Sequence, residues 1–523
     1  MSRMQAIIHR LTTVGSALAL CCALAAPAAA ASDVAAWFGT AGPTPLAREA
    51  VAVLRAAGED GLDPAAYDAA GLANALDGVM DQAAHEALAV RLEAALRRFL
   101  RDLNAGRIAP ADIDENYESV TAIGVDPDAL LARAVADGNL AGAVAAARPH
   151  VPEYAELRKA LADYRRLAGD PLWHEPLPPL PASKLEPGQP WTGVPALVRR
   201  LAALGDLQAP AAATAKAYNG AVVDAVKAFQ ARHGLTPDGI IGKGTWEALS
   251  IPPAQRADQL SLALERLRWT PHPERAVIVN VPEFVLRAWD ARDGRSAVRA
   301  RMNVIVGNAA KTQTPIFDAE MRFIEFSPYW NVPPSIARGE TIPKLRRDPA
   351  YFDKQGFEFV TRDGRVVGGF SEANLDAVQA GSMRIRQRPG AQNALGDIKF
   401  VFPNPDNIYL HHTPTPRLFQ RDRRDFSHGC IRVEAPVELA KFVLAGDPEW
   451  NEERIVGSMT RGRSNTLRLA DTLPVVITYR TAAVIDGKPH FFPDLYRKDA
   501  VLAAALARRG NTDTASAQGR NPS

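Results

Sequence analysis

The sequence predicts a multidomain α+β protein: an all-helical N-terminal scaffold, a small three-helix bundle, and a strand-rich C-terminal domain with an inserted segment. Three observations predict it. At 523 residues the chain exceeds what one hydrophobic core supports, so two to four domains are expected. Its texture changes twice, first at a proline-crowded stretch over 170–195 and again near Ala276, where β-branched runs begin. A hydrophobic share of 47% is that of an ordinary globular protein.

The first element, residues 1–31, reads as a secretory signal. Arg3 and Arg10 give a positive start, Leu11 to Leu24 form a short apolar core, and Ala26-Pro27-Ala28-Ala29-Ala30-Ala31 supplies small residues for cleavage. The mature chain is then an exported protein. An uncleaved leader acting as an anchor is a minor alternative. So is a lipidated Cys21 or Cys22, because Leu20 stands where a small residue is wanted. No later stretch reaches the ~20 apolar residues of a membrane helix. Without Arg3 and Arg10 the 61 basic residues become 59, against 59 acidic ones. That neutral balance gives no electrostatic case for nucleic-acid binding.

Residues 32–169 are rich in Ala, Leu and charge. Ala84 to Leu103 carries apolar residues at helical spacing and stops at Asn104-Ala105-Gly106. The region reads as a structural scaffold without chemistry of its own. Residues 170–195 read as a semi-rigid proline-rich linker. Residues 196–251 read as three short helices. The first ends at Gly205, the second runs from Asp224 as N-cap to Gly234 as C-cap, and the third is capped by Thr245. The pattern AVKAFQ, HGL and DGIIGKGTWEAL in this bundle resembles a peptidoglycan-binding domain.

Residues 276–490 alternate strand-like runs with turns, among them Val277–Val281, Phe284–Trp289, Met302–Val306, Met321–Phe326, Ile398–Phe402, Ile408–Leu410 and Val475–Thr481. Residues 333–383 have a helical and loop character of their own and read as an insertion over the sheet. Residues 510–523 are polar and read as a disordered tail.

Beyond the leader Cys430 is the only cysteine. An unpaired thiol in an oxidising compartment is either buried and inert or kept for its reactivity. His411, His412 and His428 all lie within twenty residues of it, out of ten histidines in the chain. A strand ending in His411, a polar loop, and the turn Ser427-His428-Gly429-Cys430 would expose the thiol beside a base, with backbone N–H groups near Gly429 facing an oxyanion. A zinc site is the competing reading. It is weakened because adjacent His411 and His412 point to opposite faces of a strand. A buried structural cysteine is a second alternative. A disulfide oxidoreductase wants a second nearby cysteine, and there is none.

HHTP at His411–Pro414 followed by SHGCIR at Ser427–Arg432 resembles the signature of the L,D-transpeptidase (YkuD) catalytic domain. Arg386–Gly390, Asn393–Gly396, Lys399-Phe400, Pro403-Asn404 and Leu418-Phe419 extend the resemblance to a large periplasmic subgroup with a helical scaffold, a peptidoglycan-binding domain and a lid. His412 departs from it, since relatives often carry Asp there. The resemblance implies a periplasmic, cofactor-free and metal-free enzyme acting on tetrapeptide stems with diaminopimelate and acylated by carbapenem-type inhibitors. In it Cys430 is the nucleophile and His411 the base, oriented through the His412 carbonyl. His428 and Arg432 shape the site and hold substrate, Gly429 lies at the oxyanion position, and Thr413 and Ser427 support the loop. Hydrolysis, lipoprotein anchoring and a non-catalytic wall-binding scaffold are the alternatives it leaves.

Overall fold

The computed structural model describes residues 34–78, 81–114, 117, 125–208, 217–292 and 297–517. The expected signal, with Cys21 and Cys22, lies outside the described residues, as does 518–523. Among the described residues no helix is long and apolar enough to cross a membrane.

The helical body is organised by the helix Gln82–Ala105. The Asp81 carboxylate caps its start, accepting from the Ala84 N–H at 2.9 Å, and Gly106 ends it at φ +82°. Its buried Leu88, Leu92, Leu96, Phe99 and Leu103 follow helical spacing and face one core. A second long helix, Pro253–Trp269, lies after the bundle in sequence yet buries Ala257, Leu260, Ala263, Leu264 and Leu267 in that same core. The two helices meet closely at Gly106, where a Cβ would come within 2.3 Å of Trp269 Nε1. The C-terminal helix Lys498–Ala517 packs Leu502 and Ala505 against Ile108 and Leu262. The helix continues through Ala517, so the expected disordered tail is helical over 510–517.

The bundle contains the helices Val194–Ala203, Ala221–Arg232 and Lys243–Ser250. Two expected caps are corrected. The N-caps are Gly220 and Gly242, so Asp224 and Thr245 sit inside their first turns. Thr245 instead accepts from Gln230 Nε2 at 3.1 Å, while Gln230 Oε1 accepts from the Gly239 N–H at 2.8 Å. The buried amide thus pins the turn between the last two helices, which is why Gln follows Phe229 here. The linker reading is corrected as well: Leu177, Leu185 and Trp191 bury in the bundle core, and Leu185 bridges to Ile241. Apolar side chains among the prolines have an apolar place to go.

The bundle is docked rather than tethered. Arg232 pairs with Asp206 at 2.6 Å and reaches Tyr164 Oη of the helical body and the Pro489 carbonyl, each at 3.3 Å.

The strand-rich domain is built on a nine-stranded sheet. We label β1 Arg275–Asn280, β2 Val285–Asp290, β3 Ala297–Gly307, β4 Phe317–Phe326, β5 Ile398–Val401, β6 Leu410–His411, β7 Asp425–Ser427, β8 Ile431–Val433 and β9 Asn465–Thr478. The order is β7-β3-β8-β6-β5-β4-β9-β1-β2, and β2 pairs again with β3, so the sheet closes on itself. Val277, Val304, Ile324, Phe400, Leu410 and Ile431 fill its interior. The residues alternating with them point outward.

The insertion between β4 and β5 is more than helix and loop. Trp330–Asn331, Met383–Gln387, Phe357–Thr361 and Val366–Val367 make a four-stranded sheet with its own core around Phe352, Phe359 and Ile385. Its first and last strands flank the expected 333–383, so the unit is larger than the sequence suggested.

Candidate active site

β6 and β8 run parallel, with Leu410 opposite Ile431 and His411 opposite Arg432. Because Leu410 and Ile431 point into the core, His411 and Arg432 point out of it. The same register sets Glu325 of β4 beside Lys399 of β5, and Lys399 beside His411. A row Glu325, Lys399, His411, Arg432 thus crosses the outer face. Cys430 enters β8 next to Tyr409, whose carbonyl accepts from the Ile431 N–H at 3.1 Å.

The turn carrying the thiol is strapped from beneath. Gly429 has φ +112°, and a Cβ there would approach Ile408 Cδ1 at 3.3 Å. Thr314 Oγ1 donates to the Gly429 carbonyl at 2.7 Å, and Thr312 Oγ1 to the Ser427 carbonyl at 2.9 Å. Ser427 Oγ donates to the Cys430 carbonyl and accepts from the Gly429 N–H at 3.2 Å. The Gly429 N–H expected at an oxyanion is therefore already engaged.

Cys430 Sγ lies 3.7 Å from the Asn407 carbonyl and contacts Tyr409. Burial raises the thiol above its ordinary pKa; Tyr409, Lys399 and Arg432 pull the other way without cancelling it. Tyr409 is pushed up too, by burial first and then by the thiol beside it. Lys399 Nζ sits 4.4 Å from the Tyr409 ring centroid and 3.3 Å from Glu325.

His411 is buried. Its Nδ1 lies 2.6 Å from the His412 carbonyl, which only accepts, so Nδ1 carries the proton and Nε2 keeps the lone pair. Burial, then the Arg432 charge, lowers its pKa to about 3. The ring is neutral throughout the physiological range. Among the described residues no hydrogen bond joins it to Cys430; the two share one face of adjacent strands.

The remaining expected residues divide. His412 turns toward Asp397, with Nδ1 and Oδ2 3.3 Å apart, and packs so closely on Gly396 that a Cβ there would lie 2.6 Å from Nδ1. Thr413 is buried and bonds to Thr415 Oγ1 at 3.1 Å, within its own loop. His428 points to the lid, where its Nε2 meets Glu340 Oε1 at 2.7 Å. Arg423 is held by Asp425 at 2.6 Å, and Arg424 by backbone carbonyls. His411, His412 and Cys430 do not converge, and among the described residues no group of three His, Cys, Asp or Glu side chains is placed to hold a metal ion. Tyr409, Lys399, Asn407 and Glu340 were missed. Strand alternation signals the first, since it lies two residues before His411; the others depend on pairings distant in sequence.

A cleft of about 1300 Å³ lies elsewhere. It lies between the bundle at Gly234–Pro237 and the barrel at Phe284, Arg301 and Arg424, and includes neither Cys430 nor His411.

Residues 274–455 match the L,D-transpeptidase catalytic domain, residues 29–161 a scaffold domain, and residues 192–249 a "Putative peptidoglycan binding domain". The chain is 31% identical over 244 residues to a Haemophilus influenzae protein named "Putative L,D-transpeptidase". That match covers 46% of this chain and 48% of the relative, so the chain spans about half the length of the curated relative it matches. Within the L,D-transpeptidase domain, the matched residues contain every strand of the barrel except β9, together with the lid.

Proposed function

We propose that the chain is a cell-wall L,D-transpeptidase that forms 3→3 cross-links through a thioester on Cys430. The observation that carries this reading is the pairing of a lone thiol with a histidine whose Nδ1 is fixed by the His412 carbonyl at 2.6 Å, on one face of adjacent parallel strands. The fixed tautomer leaves Nε2 as the basic nitrogen of the ring.

A thiol raised by burial and an imidazole lowered to about 3 rest as a neutral pair, not as thiolate and imidazolium. Deprotonation therefore accompanies attack on the substrate. Cys430 Sγ bonds to the carbonyl carbon of residue three of a tetrapeptide stem, and His411 Nε2 takes the thiol proton. The Tyr409 hydroxyl and the backbone N–H of Cys430 serve the developing oxyanion. The bond between residues three and four breaks, and its nitrogen leaves with the proton from His411. The side-chain amine of diaminopimelate on a second stem then attacks the thioester, forming an amide and restoring the thiol. No metal or organic cofactor enters these steps.

The bundle supports a wall substrate. Held at the body by Arg232, it would keep a bound polymer near the barrel and raise the local concentration of stems. Export to the periplasm belongs to the same reading, as does acylation by carbapenem-type inhibitors. Mass analysis of purified tetrapeptide muropeptides incubated with the protein tests it. A 3→3 dimer is expected. Release of the terminal residue without dimer would make the enzyme a carboxypeptidase instead.

A further inference from the structure

The hydrogen bonds beneath the thiol end on a residue from far along the chain. Thr314 Oγ1 donates to the Gly429 carbonyl at 2.7 Å and accepts from the Gly307 N–H at 2.8 Å. The Thr314 N–H donates to Tyr496 Oη at 3.2 Å, and Tyr496 Oη donates to the Gly307 carbonyl at 2.7 Å. One threonine hydroxyl and one phenol therefore staple the two ends of the turn after β3. The turn is tight: a Cβ on Gly307 would collide with the Thr312 carbonyl oxygen and lie 2.6 Å from the Thr314 nitrogen. Both Thr314 and Tyr496 are buried, so water does not stand in for a lost partner. Tyr496 is fixed in turn. Its N–H donates to Tyr479 Oη at 2.7 Å, and Tyr479 Oη donates to Asp494 Oδ1 at 2.6 Å. Tyr496 lies beyond the matched residues 274–455, so no pattern around Cys430 points to it.

We propose that Tyr496 is a positioning residue for acyl transfer: acting through Thr314, it aims the Cys430 N–H at the developing oxyanion. This rests on the thioester reading above and adds a residue to it. A trans peptide unit is planar, and its C=O and N–H point in opposite directions. The Gly429 carbonyl and the Cys430 N–H belong to one such unit. Whatever holds the carbonyl therefore sets the direction of the N–H. The unit needs holding, because Gly429 at φ +112° has no Cβ to restrict its rotation. Among the described residues the Cys430 N–H donates to nothing, while the Gly429 N–H is spent on Ser427 Oγ. The unspent donor is the one that can meet a negative oxygen. A donor already aimed needs no reorganisation as the charge develops. Thr314 holds the carbonyl, and the phenol holds Thr314.

The test compares two reactions of Cys430, each followed by intact mass on the full chain. p-Nitrophenyl acetate transfers its acetyl group to sulfur. Its carbonyl oxygen gains negative charge during the attack, and p-nitrophenol leaves with the thiol proton. Iodoacetamide is attacked at a saturated carbon and develops no oxyanion, so it reads only the thiol and its turn. The ratio of acetylation to alkylation should fall ~10–100-fold in Tyr496→Phe and as far in Thr314→Val, in line with a misaligned donor. Thr314→Ser keeps the hydroxyl and should restore most of the ratio. Tyr496→Phe combined with Thr314→Val should be no worse than Thr314→Val alone, because the phenol acts only through the threonine. Tyr479→Phe frees the Tyr496 N–H but spares the phenol; it should lower the ratio less, and it stands in should Tyr496→Phe not fold. An unchanged ratio in these variants, with both rates falling together, would overturn the proposal, because the phenol would then only support the turn. Additive losses in the double variant would overturn it too.

Acylation of the parent by a tetrapeptide stem, measured alongside, separates this role from the reaction assigned to the site. A lowered ratio in the variants with no acylation of the parent by the stem would leave the role of Tyr496 standing and remove the transpeptidase reading. Acylation by the stem with an unchanged ratio would do the reverse.

Discussion

The helical body and the face of the barrel that carries Cys430 and His411 bury charge in opposite ways. In the body, Arg268 meets Glu265 at 2.7 Å, and Glu265 also accepts from the Ile108 N–H at 3.0 Å. Asp60 is held by Arg148 at 2.8 Å and Arg158 at 2.7 Å. On that face of the barrel, His411 is buried neutral, burial holds the proton on Cys430, and among the described residues Arg432 Nε has no hydrogen-bond partner. Paired buried charges fix a fold and leave nothing over for a ligand. Unpaired ones cost stability and remain available, so the contrast marks where chemistry lives. It also separates two kinds of variant: changes in the barrel should cost activity, and changes in the body should cost stability.

The largest effect expected is at the thiol. Cys430→Ala should reduce acyl-enzyme formation with a carbapenem to background, while thermal unfolding moves by no more than ~1 kcal/mol, because one half-buried sulfur is lost from a supported turn. Intact mass and calorimetry on one preparation check both halves. A large fall in stability would show Cys430 to be part of the core and weaken the contrast.

Next come the adjacent histidines. His411→Ala should slow acylation by ~10²–10⁴-fold, the usual worth of a positioned proton acceptor. His412→Ala should cost less than about tenfold, since only its carbonyl meets His411. Stopped-flow acylation decides it, and a larger loss at position 412 would reverse the assignment.

The body is broken at Glu265. Glu265→Ala strands the buried Arg268 and frees the N–H groups of Arg107 and Ile108, a change worth ~3–5 kcal/mol. Acylation per folded molecule should stay within about twofold of the parent. A denaturant titration and an acylation assay at low temperature test the pair of expectations. Lost acylation in a protein that remains folded would mean that the body shapes the site.

The same contrast governs what the sequence made legible. The site lay in one short-range pattern, His411 to Arg432, because two adjacent strands and their turn carry most of it. Strand alternation set the adjacent His411 and His412 on opposite faces. The helix Pro253–Trp269 was not legible, because its buried Arg256, Glu265, Arg266 and Arg268 interrupt the apolar periodicity that marks a core helix. Their partners lie more than two hundred residues away, as Arg268 with Asp60 and Arg266 with Asp499 show. Leu177, Leu185 and Trp191 were hidden among prolines for a related reason: their apolar partners are supplied by later helices. Glu340 meets His428 only because the lid folds back across 88 residues. Caps at Gly220 and Gly242 were misplaced because Asp224 and Thr245 are good capping residues that are used otherwise.

The smallest effect expected is a dependence on pH, and it sharpens the claim that the barrel keeps its site neutral. Burial lowers His411 to about 3, while an unfolded histidine titrates near 6.5. Between those values the unfolded chain binds the extra proton, so acid favours unfolding. The stability from this site is complete above about pH 6.5 and is lost progressively as pH falls toward 3. At pH 5 the loss from His411 alone is about 2 kcal/mol. His233, His272 and His490 are lowered by burial as well and act in the same direction. Denaturant titrations at pH 7 and pH 5 should therefore show a large fall for the parent, and a fall smaller by about 2 kcal/mol for His411→Ala. Over the same range, alkylation of Cys430 by neutral iodoacetamide should show no step near pH 6–7. It should rise only above the ordinary thiol range, since burial holds the proton on sulfur and His411 has none to lose there. A reactive plateau already present at pH 6, with equal acid sensitivity in the two proteins, would mean that Cys430 and His411 rest as an ion pair and that the barrel, like the body, pairs its buried charges.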